Sequence, residues 1–576
     1  MSRQTNSTEE EMSRVRTGRK RGIIVILAAA MMIVMMAMLA FSIDVGYMYT
    51  MQSQLQRSVD AATLAAAGSL INGQDAADDA IHEYLVRNPV GTQWKEYDNK
   101  PIADSVSHFM TNYSQGLDVT YGDWDSASQQ IIPSTRPPST VKVQMRYDNM
   151  PFFFGHLLGR DTFSVSAESA AAYQPRDIMV VLDLSGSMND DSEFSAFGKL
   201  GVDSVTANQL QIYQDLGSPV YGNLQFTPQW AVAKGPAPQT TEQAQVTAEY
   251  QYSTVVVGSD KSFDRVRVRR SDGNIVTYYP STNSGSFTPG GQVREVWAYS
   301  GKNGDGSTQV HYFNFTSRDT FAAALGLDSV SYPYGGNWSA YLDYCMASNN
   351  QNNNAGFRYK FGYQNLIVFW LEKRSLNSQM PDMWKGSAQP ITAVKNSVDL
   401  FVHFISESQS DDQMGLATYN GPDGESVLES TLTNNYSFIN TQSNRRQAGH
   451  YHNYTNISAG MKEAREELDV RARPGAFKMI VLLTDGVANW NNGGYNISAA
   501  RDAVIHEAHL AADRKYAIVT ISLGAGADKD LMQQVADITT GSHFNIPGGQ
   551  SVEEYAEDLT EVFQKIAAHR PLRLVQ

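Results

Sequence analysis

From Gly22 to Ile43 the chain carries no charged side chain, and no other feature constrains its architecture as tightly. In a helix, at about 1.5 Å rise per residue, some twenty apolar residues cover the roughly 30 Å of a bilayer core. Arg14, Arg16, Arg19, Lys20 and Arg21 precede the run, and Asp44 opens a sparsely charged stretch after it. The positive-inside rule then makes 1–21 a cytoplasmic basic tail and 22–43 a transmembrane helix in contact with lipid. Everything after Asp44 lies outside the cytoplasm, periplasmic or extracellular if the membrane is a bacterial inner membrane. A cleaved signal peptide is the competing reading. The run is long for one, and Leu39-Ala40-Phe41-Ser42-Ile43 lacks a small-x-small cleavage site.

The helical pattern continues past the membrane. Val45, Met48, Met51 or Gln52, Leu55, Val59, Ala62, Ala66 and Ser69 recur at helical spacing, and no proline interrupts 46–70. This predicts an amphipathic helix over 44–70 that packs on its own domain or docks against helices of other subunits. Arg21-Gly22, the apolar run, Asp44-Val45-Gly46, Leu55-Gln56 and Asp60-Ala61-Ala62 with Leu64-Ala65-Ala66-Ala67 follow one another in an order that resembles the N-terminal segment of TadG-like proteins of bacterial tight-adherence (Flp) pilus systems. The resemblance implies an inner-membrane protein with pilus or pilus-assembly components as partners.

With 576 residues the chain needs several structural units, and its formal charge of −15 argues against nucleic acid as a partner. Cys345 is the one cysteine, so neither an intrachain disulfide nor a cysteine zinc site is available. It reads as a core or loop residue, with an intermolecular bridge as the alternative. Residues 71–175 read as a small α/β module, with a helix over Asp75–Arg87 and strands at Val119–Trp124, Ile131–Ile132, Val141–Tyr147 and Phe163–Ala172. Phe152-Phe153-Phe154 with Leu157-Leu158 reads as a packing cluster or a membrane-surface contact.

From Ile178 strands and helices alternate. Ile178–Leu184, Met414–Tyr419, Met479–Leu483, Ala517–Leu523 and His543–Ile546 are buried-strand patterns, with Val427–Leu432 as an edge partner. Helices are expected at Ile391–Glu407, Asn456–Leu468, Ser498–Asp513, Asp530–Ile538 and Val552–Ala568. Together they predict an α/β, Rossmann-like doubly wound domain over 176–570. A Tyr-, Asn-, Gly- and Ser-rich stretch at about 190–389 interrupts it and reads as a mainly β insertion, with strand-like runs at Ser253–Val257, Arg265–Arg269, Val293–Tyr299 and Gln309–Phe315.

The first strand ends in Asp183-Leu184-Ser185-Gly186-Ser187, which places a carboxylate and two hydroxyls at the carboxyl end of a buried strand, where open α/β sheets bind ligands. Hard oxygen donors in that pattern suit Mg²⁺ or another hard divalent ion. Thr455 precedes a helix, and Thr484-Asp485-Gly486 ends another buried strand. Asp183, Ser185, Ser187, Thr455 and Asp485, in this order, resemble the metal-ion-dependent adhesion site (MIDAS) of von Willebrand factor A (VWA) domains. The resemblance implies a divalent ion, most simply Mg²⁺ with Ca²⁺ or Mn²⁺ as alternatives, and a protein ligand that donates an acidic side chain to it. The expected function is metal-dependent protein binding or adhesion in pilus assembly. The rival is a structural envelope protein whose metal stabilises the fold, and a third reading has Asp183 and Asp485 merely cap helices.

No enzyme is expected. His506-Glu507-Ala508-His509 is one residue short of a zincin motif, Gly198-Lys199 lacks the rest of a phosphate-binding loop, and Ser185 is not flanked as Gly-x-Ser-x-Gly. His450 and His452 read as loop histidines with ligand contact as the alternative.

Overall fold

The computed structural model describes the chain apart from residues 1–7, 126–127, 129, 134–137, 242, 301–308, 349, 374–379, 408–410, 422–425, 451–452, 549, 570 and 576, and leaves the side chains of 8–22, 71 and 157–158 undescribed as well. The described residues fall into two units, one made of the N-terminal 174 residues with the C-terminal tail, the other of most of 175–569.

In the first unit one helix runs from Thr8 to Ser69. Its apolar stretch from Ile23 is long enough to cross a membrane, and the most hydropathic 18-residue window is 0% buried. Beyond Asp44 the same helix packs on its own module. Met51, Leu55, Val59, Ala62 and Ala66, spaced four, four, three and four apart, are buried in one core with Val141, Val143, Val165 and Ala171. Each fully buried Leu or Val contributes about 1.5–3 kcal/mol. The expected stripe therefore faces this chain's own sheet. That sheet is antiparallel, in the order Gln130–Ile132, Leu117–Asp125, Thr140–Pro151, Thr162–Tyr173, Leu572–Leu574. Gln52 and Gln56 pin the helix to it by donating to the Ser166 and Glu168 carbonyls at 2.7 and 3.0 Å. Helices Gln74–Arg87 and Ile102–Asn112 complete the unit; the second was not anticipated.

The second unit is built on a six-stranded sheet ordered Ser426–Thr433, Gln413–Tyr419, Arg176–Asp183, Phe477–Thr484, Ala517–Leu523, His543–Ile546. All neighbours are parallel except the first pair. In chain order this is 3-2-1-4-5-6, with the switch point between the strands that end in Asp183 and Thr484. The central strand alternates between two cores. Ile178, Val180 and Leu182 join Phe369, Phe401 and Phe563 on one face, while Met179 and Val181 join Met461, Val504 and Leu531 on the other. Helices Ile391–Glu407, Ile457–Arg471, Ile497–Asp513, Lys529–Ile538 and Val552–Ala568 supply the covering layers.

The interruption carries the β-sheet its strand-like runs imply, but two of those runs belong to one strand. Thr254–Arg270 is continuous and pairs with four neighbours, bent by register irregularities near its middle. Helices are present too. Tyr363–Glu372 is buried on every side except at Glu372, and its aromatic and aliphatic residues share a core with the central sheet. Cys345 lies in that core, and burial pushes its thiol up.

Candidate functional site

The five candidate side chains reach one place because three chain segments end there. The Arg176–Asp183 strand is buried along its whole length and delivers Asp183 to the carboxyl edge of the sheet, where Ser185 and Ser187 follow on the loop. The neighbouring Phe477–Thr484 strand ends one residue before Asp485. Thr455 precedes the helix Ile457–Arg471, whose cap Asn456 accepts from the Ala459 N–H. Gly460 lets this helix lie close to the sheet, because a Cβ there would stand 2.6 Å from the Tyr419 ring and 2.9 Å from Val181.

Asp183 is fully buried. Its Oδ1 accepts the Ser185 N–H at 2.8 Å, and its Oδ2 accepts the Thr484 hydroxyl at 2.9 Å and faces the Tyr419 hydroxyl at 3.1 Å. Ser185 and Ser187 hydroxyls lie 3.1 Å apart, and Ser187 donates to Asp485 Oδ1 at 2.6 Å. Thr455 meets the others across Gly486, where a Cβ would stand 3.5 Å from Ser187 Oγ and 3.7 Å from Thr455 Oγ1. The Thr455 N–H donates to Asn489 Oδ1 at 2.9 Å, and its carbonyl accepts the Asn489 N–H at 3.0 Å. Beside it, Tyr454 stacks on Trp490 with ring centroids 4.5 Å apart.

Electrostatics follow from burial. Desolvation raises the Asp183 carboxyl above the ordinary range against the hydrogen bonds it accepts. Asp485 is pushed up well above its ordinary value, first by burial and then by the charge of Asp183. Asp191 is pushed up to about 6, mainly by burial. A cleft of about 400 Å³ opens beside these groups, lined among others by Ser187, Asp191, Lys199, Thr455, Asp485 and Tyr555.

This geometry corrects the metal expectation. Among the described residues there is no group of three or more His, Cys, Asp or Glu side chains that could hold a metal ion. Two carboxylates meet here, and the chain's own hydroxyl and amide donors already point at them. Asp183 is occupied by Ser185, Thr484 and Tyr419, and Asp485 by Ser187. Hydrogen bonds and raised carboxyl affinities therefore stand where a shared cation was expected. The expected Mg²⁺, Ca²⁺ or Mn²⁺, the MIDAS function, a partner's acidic side chain on the ion and a fold-stabilising metal all fall with it.

Tyr419, Thr484, Asn489 and Asp191 join the site without a sequence signal for it. Tyr419 sits opposite Asp183 in the parallel register, which only the strand pairing reveals. His450 is half-buried and pushed below its ordinary range by burial and by Arg446; His452 lies outside the described residues. His506 and His509 are exposed on the helix Ile497–Asp513.

Comparison with known families agrees with this layout. Residues 22–69 match the family described as putative Flp pilus-assembly TadE/G-like, residues 65–171 putative Tad-like Flp pilus-assembly, and residues 384–558 the von Willebrand factor type A domain. The chain joins a Tad/TadG-like N-terminal region to a C-terminal VWA domain. The VWA match begins after the insertion, so its span omits the Arg176–Asp183 strand, which the sheet order places at the centre of the domain. The matching families are structural and adhesion modules, consistent with a non-catalytic protein. No curated protein matches the chain. Solved structures similar to part of it include the SpRpn10 VWA domain (19% identity, 29% of this chain and 82% of that one, TM-score 0.23). The pilus adhesin SpaC from Lactobacillus rhamnosus GG is 18% identical over 31% of this chain, which spans 28% of the adhesin, at a TM-score of 0.24. The conserved hypothetical protein BatB from Bacteroides thetaiotaomicron is 13% identical over 31% of this chain and 90% of its own, at a TM-score of 0.23.

Proposed function

We propose that this chain is a membrane-anchored component of Flp-type pilus assembly whose VWA domain binds a protein partner without a metal ion. The observation that carries the reading is the continuous match of 22–171 to Flp pilus-assembly families, on a helix long and apolar enough to cross a membrane. On this reading 1–21 is the cytoplasmic tail, 22–43 the span, 44–70 the outer half of the helix, 71–175 the small module and 176–570 the VWA domain with its insertion. The arginines and lysine before Gly22 orient the rest outward. The cleft bounded by Ser187, Thr455 and Asp485 is the partner site, because it combines a concave surface with convergent polar groups at the sheet's switch point. Deleting the chain from its host and counting surface pili tests the reading. Loss of pili, restored by the full chain, is expected; unchanged piliation without the chain refutes it.

A further inference from the structure

The hairpin turn after Thr140–Pro151 carries three consecutive phenylalanines, and two of them are turned outward. Phe152 packs on Phe163 with ring centroids 4.8 Å apart, whereas Phe153 is 59% and Phe154 36% exposed. The turn is tied to a defined level of the long helix. The Phe153 and Phe154 N–H groups donate to the Asp44 carboxylate at 2.9 and 3.1 Å, and the Phe153 ring meets Tyr47 edge-on at 4.7 Å. Asp44 is the first charged residue after the uncharged run, so the exposed rings stand within one helical turn of the point where the chain leaves the bilayer. Tyr49, 75% exposed, lies about 7.5 Å further up the helix from Asp44.

We infer that this aromatic turn is a second membrane contact, with Phe153 and Phe154 seated in the headgroup–acyl boundary beside the emerging helix. The inference rests on the span reading of 22–43. Two facts select lipid as the occupant. The helix itself carries Asp44 to the boundary, and the turn's hydrogen bonds to Asp44 with the Tyr47–Phe153 ring contact hold the rings beside it; apolar aromatic rings at that depth gain from burial in the headgroup–acyl boundary. Asp44 fits the same picture, since its carboxylate is buried and spends its acceptors on the turn's amides rather than facing lipid. With two anchor points, span and turn, the first unit is held at a fixed tilt instead of swivelling on the helix.

The test places a fluorophore on single cysteines in the full chain, in a Cys345→Ala background, reconstituted in lipid nanodiscs. Quenching by lipids carrying nitroxides at the headgroup or shallow acyl positions is read at Phe153→Cys, at Met36→Cys inside the span and at Gln144→Cys. Gln144 pairs with Glu168 at the level of Gln56, twelve residues or about 18 Å up the helix from Asp44. Phe153→Cys is expected to be quenched several-fold more than Gln144→Cys, most by the shallow probes. Quenching at Phe153→Cys no greater than at Gln144→Cys, with Met36→Cys quenched, overturns the inference; an unquenched Met36→Cys removes the span and the inference together. Phe154→Cys gives the same reading if the first variant does not fold.

Discussion

The two ends of the VWA sheet hold buried carboxylates in opposite ways. At the amino ends of the strands each acid has a guanidinium. Arg176 and Asp412, both about 1% exposed, pair at 2.8 Å, and Arg176 also donates to the Ile566, Ala567 and His569 carbonyls. Next to them the buried Asp177 pairs with Arg473 at 2.6 Å. At the carboxyl ends Asp183 and Asp485 meet hydroxyls and an amide, and among the described residues neither makes an ion pair. The first end binds sheet, helices and loops into one block. The second keeps acids in place without neutralising them, which costs stability at neutral pH and leaves polar groups lining a cleft.

The largest expected effect is at the paired end. Arg176→Met leaves Asp412 buried and unpaired, and removal of one partner of a buried pair costs about 3–5 kcal/mol. Urea unfolding of the purified chain should show it as a lowered midpoint. Asp183→Asn keeps the shape and one acceptor at the other end, and the charge it removes from a buried site offsets part of the lost hydrogen bonding, so it should cost less, at most about 1 kcal/mol. Equal losses in the two variants would erase the contrast between the ends.

A smaller effect tests the cost of the unpaired acids. Asp191, which also lines the cleft, has its carboxyl raised to about 6, above the unfolded value near 3.8. The folded state therefore holds its proton longer than the unfolded state does. The Asp191 contribution to stability is greatest below about pH 4, falls as pH rises to about 6, and stays reduced above that. Asp191→Asn removes this dependence and should be more stable than the parent at pH 7 by about 1–2 kcal/mol, the shift being discounted for partial exposure. The difference should vanish near pH 4 in matched denaturation curves. A parent chain whose stability rises between about pH 4 and about pH 6 by comparison with the variant would reverse the assignment.

How much of this was legible beforehand depended on whether the relevant signal was local. The Asp183 and Asp485 strands announce themselves as continuous apolar runs that end in an acid, and Thr455 by the cap that follows it. Tyr419 does not, because its role comes from a strand register set by tertiary pairing. The direction of the Ser187 hydrogen bond was equally hidden; the same hydroxyl reads as a metal ligand until its acceptor is seen. Tyr363–Glu372 is apolar all round, and a short run of that kind does not declare helix or strand by periodicity. Thr254–Arg270 read as two strands because Asp260 and Lys261 break the alternation at its bend. Ile102–Asn112 does carry Ile102, Val106 and Phe109 at helical spacing, in a run too short to stand out between turns, whereas the polar Tyr436–Asn444 left no strong pattern.

The smallest expected effect is none at all, and it bears hardest on the comparison. A ligand that binds only the folded state stabilises it by RT ln(1 + [L]/Kd), so a resident divalent ion would reveal itself as a melting temperature that rises with its concentration and falls with chelator. If hydroxyl donors alone hold Asp183 and Asp485, melting curves with excess Mg²⁺ and with chelator should coincide, while Ser187→Ala should lower the melting temperature by removing the donor to Asp485. A hydrogen bond of this kind is worth about 0.5–1.5 kcal/mol net, enough to shift such a melt. A Mg²⁺-dependent rise would mean that the two acids share a cation after all, and the unpaired end of the sheet would then be paired by an ion where the other end is paired by arginine.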